Sequence, residues 1–188
     1  DFKDTAFNYV KELLDTVIFV VFGIIIIRFF IAEVRWIPSG SMLPTIKEGD
    51  RVVVERFSRF YKTPNRGDIM VFYPPMTELE YTPAKVLERL TGFFCRDTAY
   101  IKRVIGVPGD HIEISGGVVY INGEPSDEPY LNVVTEGEWG PYDVPADSYF
   151  MLGDNRNDSA DSRYWHNTFL TREGIVGKAI FKYWKGFE

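Results

Sequence analysis

Cysteine is nearly absent from this chain. Cys95 stands alone, so no intrachain disulfide forms, and a lone cysteine is more often a packed small hydrophobe than a nucleophile. Histidine is scarce too, with only His111 and His166. No CxxC, HExxH or other metal-ligand spacing occurs, so no metal or other cofactor is expected. Long basic runs are missing and the net charge is −6, which argues against nucleic acid as a partner. The serine signatures Gly-x-Ser-x-Gly and Ser-x-x-Lys are absent, and a Ser-His-Asp triad has no local support. There is no internal repeat, no low-complexity tract and no strand–helix–strand alternation. The first residue is Asp1 rather than Met, which leads us to expect a preceding N-terminal segment.

What the chain does have is aromatic and β-branched sequence, with 15 Phe and 11 Tyr in 188 residues. That length supports one domain with a sizeable core, and the composition favours strands. Residues 1–15 are amphipathic. Thr16 to Ala32 (TVIFVVFGIIIIRFFIA) is apolar apart from Arg28. As a helix it would be about 25 Å long, near the ~30 Å of a hydrocarbon core. Arg28 lies close enough to its end to extend its head toward the interface. We read a single membrane-spanning helix at about 16–32. A buried core helix is rarely so uniformly apolar, and Ala32-Glu33-Val34 is a poor cleavage site for a signal peptide. The flanking charges give no clear vote on orientation.

The next stretch organises the rest. Ile37 to Thr45 reads IPSGSMLPT, stiffened by Pro38 and Pro44. Ser39 and Ser41 are two residues apart, so in an extended segment their hydroxyls share a face. A proline-bracketed turn with incidental serines is the plainer account of this stretch alone.

Downstream the pattern is β. Strands are expected at 51–57, 68–73, 100–107 and 149–152, with a last one at 175–184 and a hairpin at 111–114 and 117–121. Pro83 to Phe94 has helical spacing and reads as a short surface helix, with lipid contact as the alternative. Residues 124–146 read as loop with short extended pieces.

Two further stretches carry chemistry. In Tyr100–Gly106 (YIKRVIG), Lys102 sits mid-strand. Alternation puts it on one face with Val104 and Gly106, and Ile101, Arg103 and Ile105 on the other. Burial would lower its pKa toward neutrality. The alternative is an exposed lysine guarding an edge strand. In Gly153–Arg163 (GDNRNDSADSR), Asp161 and Arg163 are spaced for a local ion pair, and Ser159 could hydrogen-bond an amine. A calcium loop fails there, because Arg156 and Ala160 fall where oxygen ligands are needed.

Taken together, the apolar segment followed by IPSGSMLPT, GDRVVVERF, RGDIMVF, YIKRVIGVPGD, GDNRNDSADSRYW and IVGKA resembles the bacterial type I signal peptidases. These are membrane-bound Ser-Lys endopeptidases, and the resemblance covers essentially the whole chain. It implies a mainly β fold: an N-terminal transmembrane helix followed by an antiparallel β catalytic domain of the signal peptidase and repressor-protease type, with a small β extension. The expected division is an N-terminal region at 1–34 and a catalytic domain at 35–188, the extension lying at about 111–148.

The resemblance further implies Ser41 as nucleophile and Lys102 as general base. Ser39 and the Ser41 amide would form the oxyanion hole, Ser159 would orient Lys102, and Asp161 and Arg163 would support the loop. The implied partners are preproteins carrying signal peptides, the lipid bilayer and the vicinity of the secretion translocon. Cleavage would follow small residues in an Ala-x-Ala pattern, with Met42 and the apolar neighbours of Lys102 as candidate pocket walls. The catalytic domain would lie on the extracytoplasmic side of the plasma membrane, or in a thylakoid if the host is photosynthetic. Two departures from the family pattern are Asn157-Asp158, which brings a carboxylate one residue closer to Ser159, and His166, where glycine commonly follows Tyr-Trp. The rival readings are a self-cleaving repressor and a membrane-anchored β domain that binds exported chains without cutting them.

Overall fold

The computed structural model describes residues 2–27, 31–75, 82–91 and 98–184. It begins with one long helix, α1 (Phe2–Ile26). Among the described residues eleven strands follow: β1 (Ala32–Trp36), β2 (Arg51–Glu55), β3 (Ile69–Phe72), β4 (Tyr100–Gly106), β5 (His111–Ser115), β6 (Val118–Ile121), β7 (Glu124–Pro125), β8 (Trp139–Asp143), β9 (Ser148–Leu152), β10 (Leu170–Thr171) and β11 (Ile175–Trp184). A short helix, α2 (Pro83–Thr91), lies between β3 and β4.

The strands form two antiparallel sheets. Seven run in the order β1-β2-β11-β3-β4-β9-β10, and four run β7-β6-β5-β8. The smaller sheet lies wholly between His111 and Asp143, within the stretch expected to form an extension. Its core of Ile112, Ile114, Val119 and Ile121 is continuous with Ile105, Phe150 and Leu152 of the larger sheet. Phe150 is fully buried at this junction, a contribution of about 2–3 kcal/mol for an aromatic of its size. Gly106 is required there, because an added Cβ would come within 3.0 Å of Ile112, Phe150 and Val144.

Several expectations are corrected. The N-terminal helix starts at Phe2 rather than Thr16, and Ala32, assigned to its end, opens β1. A boundary at residue 34 therefore falls inside a strand. Among the described residues no helix is long and apolar enough to cross a membrane. The apolar part of α1, Thr16 to Ile26, is only about 16 Å long. The expected span also includes residues 28–30, which lie outside the described residues. The α2 helix stops at Thr91, and Gly92 to Phe94 are likewise outside them.

Sequence reading missed the two-residue β10 and, with more consequence, β1. Its buried Glu33 meets Arg56 at 3.1 Å and Arg35 at 2.6 Å, so its inward face carries an ion pair instead of an apolar residue. β8 falls within residues 124–146, expected as loop with short extended pieces; its pairing with β5 comes from 25 or more residues away.

β4 decides the fate of Lys102. It lies between β3 and β9, an interior position, so the edge-strand account does not apply. Every residue from Ile101 to Gly106 is buried, so alternation does not give the strand a wet face. Covered on both sides, β4 reads as a nearly continuous apolar run interrupted by two charges.

Candidate active site

Three segments converge at one end of β4. The first is the 37–50 loop joining β1 to β2. Its neck is closed by Ile37 N–H donating to Asp50 O (2.9 Å) and Gly49 N–H to Ile37 O (2.8 Å). Ile37, Met42 and Ile46 turn inward into a core cluster with Val52, Val54, Val71 and Ile101. With Met42 fully buried, its neighbour Ser41 is held half-exposed and Ser39 exposed.

The second segment is β4 itself. Lys102 Nζ donates to Ser41 Oγ at 2.7 Å and to Ile101 O at 3.1 Å. The side chain is buried, and burial lowers its pKa from 10.5 to about 8, against the opposing pull of Asp161 and Asp154. Ser39 Oγ stands 3.4 Å from Ser41 Oγ, on the same side of the loop.

The third segment is the loop after β9. Asn155 N–H donates to Ser41 O (3.1 Å), and Asn155 Nδ2 donates to Gly40 O (3.1 Å), so this loop grips the backbone on both sides of the Gly40–Ser41 bond. Asp154 is fully buried and takes Arg103 in a two-pronged pair at 2.8 and 2.6 Å, while Thr45 Oγ1 donates to it at 2.5 Å. One carboxylate thus ties together the nucleophile loop, β4 and its own loop. Asp161 and Arg163 pair at 2.8 and 2.9 Å, and Asp161 Oδ2 also accepts the Gly153 amide at 3.0 Å.

Ser159 is where expectation and geometry part. Its hydroxyl makes no hydrogen bond to Lys102; it is buried without any partner among the described residues. The Lys102 amine is already turned to Ser41 and Ile101 O. Ser159 instead packs against Gly153, where an added Cβ would overlap its Oγ and lie 2.5 Å from Ser41 O.

The cavity beside Ser41 has a volume of about 340 Å³ and is lined by Pro38, Ser39, Ala99, Tyr100, Ile101 and Ala160 among others. Ile101 is the apolar neighbour of Lys102 expected in its wall; Met42 is not part of it, being enclosed in the core. Asp158, part of the unusual Asn157-Asp158 pair, faces the cavity. No histidine lines it among the described residues. His111 pairs with Asp143 on the small sheet (2.7 Å), and His166 faces a separate cleft near Pro145. The residues that sequence reasoning left without a role are Thr45, Arg103, Asp154 and Asn155. The signal for Asp154 and Arg103 was a carboxylate directly after an apolar strand, since a buried carboxylate needs a cation; Thr45 and Asn155 had none.

A sequence profile of signal peptidases, peptidase S26, matches residues 10–184, nearly the full chain. This chain belongs to the signal peptidase family. A signal peptidase I of Leptolyngbya laminosa is 44% identical over 84% of this chain and 71% of its own length. A probable signal peptidase I-2 of Synechocystis is 42% identical over 92% of this chain and 72% of its own. A thylakoidal processing peptidase of Arabidopsis thaliana is 38% identical over 85% of this chain and 44% of its own length. Among the described residues no group of His, Cys, Asp or Glu side chains is placed to hold a metal ion.

Proposed function

We propose that this chain removes N-terminal signal peptides from exported preproteins, with Ser41 as nucleophile and Lys102 as general base. The observation that carries the reading is the 2.7 Å contact between Lys102 Nζ and Ser41 Oγ, with the amine buried and its pKa lowered to about 8. A serine hydroxyl attacks only when a positioned base takes its proton. Near neutral pH a useful fraction of such an amine is unprotonated, and the same contact then carries the proton from Oγ to Nζ.

Ser41 Oγ would bond to the scissile carbonyl carbon, whose oxygen becomes negative and is met by Ser39 Oγ and the Ser41 amide. One such donor is typically worth about 3 kcal/mol. The Lys102 ammonium would then give its proton to the departing amine as the C–N bond breaks. Water, deprotonated by the same amine, would release the acyl group and restore Ser41. Asp161 and Arg163 would hold the loop. An extended substrate places alternate side chains on one side. The cavity walled by Ile101, Ala99 and Ala160 would receive the side chains next to the cut, and the Ala-x-Ala preference would be exercised there.

The same reading makes α1 a single-pass anchor. From Thr16 to Ile27 every residue but Gly23 and Ile25 is exposed, and the apolar sequence runs on to Ile31 with Arg28 as its one interruption. Such a surface is stable in lipid and costly in water. The domain would then work at the extracytoplasmic face of a plasma or thylakoid membrane, beside the translocon that delivers its substrates.

The test is cleavage of a preprotein with an Ala-x-Ala site in lipid, comparing the native chain with Ser41→Ala and Lys102→Ala. Loss of at least about 10³-fold in each, with the fold intact by circular dichroism, supports the dyad. Full activity in Lys102→Ala overturns it, and binding without cleavage by the native chain favours a non-catalytic role.

A further inference from the structure

Away from Ser41, a second cavity of about 250 Å³ opens between β11, the short helical turn Ser58–Phe60 and the segment that follows it. Four cationic side chains line it, Arg59, Lys62, Arg172 and Lys178, against two carboxylates, Glu55 and Asp68. Both carboxylates are occupied. Asp68 takes Lys178 Nζ at 2.6 Å, and Glu55 Oε1 accepts the Ser58 amide at 2.7 Å. Among the described residues Arg59, Lys62 and Arg172 have no carboxylate within ion-pair distance. The hydrogen bonds of Arg59 and Arg172 go to backbone carbonyls, of Val176 at 3.4 Å and of Lys62 at 3.2 Å, and Arg59 also lies over the Phe60 ring. Burial, and after it the nearby Arg56, lowers the pKa of Arg59, with Tyr73 and Glu33 opposing. In a chain of net charge −6 this is a local concentration of unneutralised cations.

The cavity's place in the fold points to the source of that anion. Glu55 pairs with Ala32, and the Arg56 amide donates to Ile31 O at 3.2 Å, so the cavity lies at the sheet corner where the chain arrives from α1. The adjoining turn presents Phe57, Phe60 and Tyr61 to the outside, each at least half exposed. Aromatic side chains beside cations suit the level of lipid headgroups.

We propose that this cavity binds a phosphate-type anion, presented by the headgroup of an anionic lipid when the domain lies against the bilayer. The lipid source rests on the reading of α1 as an anchor. The test uses the full chain with phosphatidylcholine vesicles, with and without phosphatidylglycerol, and separately with inorganic phosphate in zwitterionic detergent. Arg59→Gln combined with Arg172→Gln is expected to lower the preference for phosphatidylglycerol about 20-fold while leaving binding to pure phosphatidylcholine unchanged. Lys62→Gln, at an exposed position that the fold does not need, is expected to lower it about fivefold. A charge control, Lys47→Gln with Lys85→Gln, should change nothing.

An equal loss in the control, or a preference that survives in the cavity variants, overturns the proposal. Failure of the native chain to bind even phosphatidylcholine vesicles would sink the anchor reading alone. The phosphate titration then decides: saturable binding that Lys62→Gln weakens supports a site for free phosphate, and no binding overturns the site.

Discussion

Burying the Lys102 amine lowers its pKa from 10.5 to about 8, and this has consequences for both rate and stability. If the free amine is the base, kcat/KM rises with pH and levels off above about 8, because only the unprotonated form can accept the Ser41 proton. The stability effect has the same origin. Between about pH 8 and 10.5 the unfolded chain binds a proton that the native chain does not, so stability rises with pH across that window. Below it the native state carries the full cost of a buried ammonium, about 3 kcal/mol. Lys102→Met removes the charge while keeping the volume. We therefore expect an inactive variant that is more stable than the native chain by about 2–3 kcal/mol at pH 7, the lost contact with Ser41 offsetting part of the gain, and by close to nothing at pH 10.5. Denaturant unfolding at the two pH values checks this. An unchanged midpoint at pH 7 would mean the amine is not desolvated in solution.

Among elements, the loop after β9 is the one on which the site depends most. It reaches Gly40 and Ser41 through Asn155, β4 and Thr45 through Asp154, and Arg163 through Asp161. Gly153 starts it in a space with no room for a side chain. Gly153→Ala would push a methyl group into Ser159 Oγ and the Ser41 carbonyl, both atoms of the site. We expect kcat/KM to fall by more than about 100-fold, since an ångström of misplacement at the reacting atoms has that effect. The seven-stranded sheet should keep its circular dichroism signal. A variant with normal kinetics would mean that the loop yields without moving Ser41.

These elements also mark how far the sequence could be read. The IPSGSMLPT, YIKR and GDNRNDSADSR stretches, with their turns and alternation, pointed to the residues that the fold brings together. Strand order is long-range, so the same text left Lys102 between an edge and an interior position until β4 was seen between β3 and β9. β1 escaped because Ala32 and Val34 continue the apolar run before them, and because its buried Glu33 is explained only by Arg56 across the sheet. The Ser159 contact failed for a similar reason. The spacing of a hydroxyl along a loop does not reveal that the amine it might meet is already turned to Ser41 and Ile101 O.

For the whole molecule, the question is how an exposed apolar helix and a packed β domain share one chain. Among the described residues, three core clusters fill the two sheets of the domain, and none draws on a residue before Ile37. α1 by contrast presents Phe19, Phe22, Ile18 and Leu13 at 61% exposure or more, the reverse of what a helix packed on a core would show. The two parts should therefore separate by function. A chain beginning at Ile31 retains the residue whose carbonyl takes the Arg56 amide, so β1 keeps its anchorage to the start of the turn after β2. We expect it to unfold cooperatively and to cleave a soluble Ala-x-Ala peptide at close to the full-length rate. Its partition into phosphatidylcholine vesicles should fall by more than about 100-fold, since burial of even a few such side chains is worth several kcal/mol. Cleavage of a preprotein held in the same vesicles should fall with it, because the enzyme would no longer be confined to the surface where its substrate lies. Vesicle flotation and the two cleavage assays measure these effects separately. Undiminished flotation of the shortened chain would move the anchoring role from α1 to the β domain itself, with the exposed Val34, Trp36 and Phe60 as the first side chains to replace.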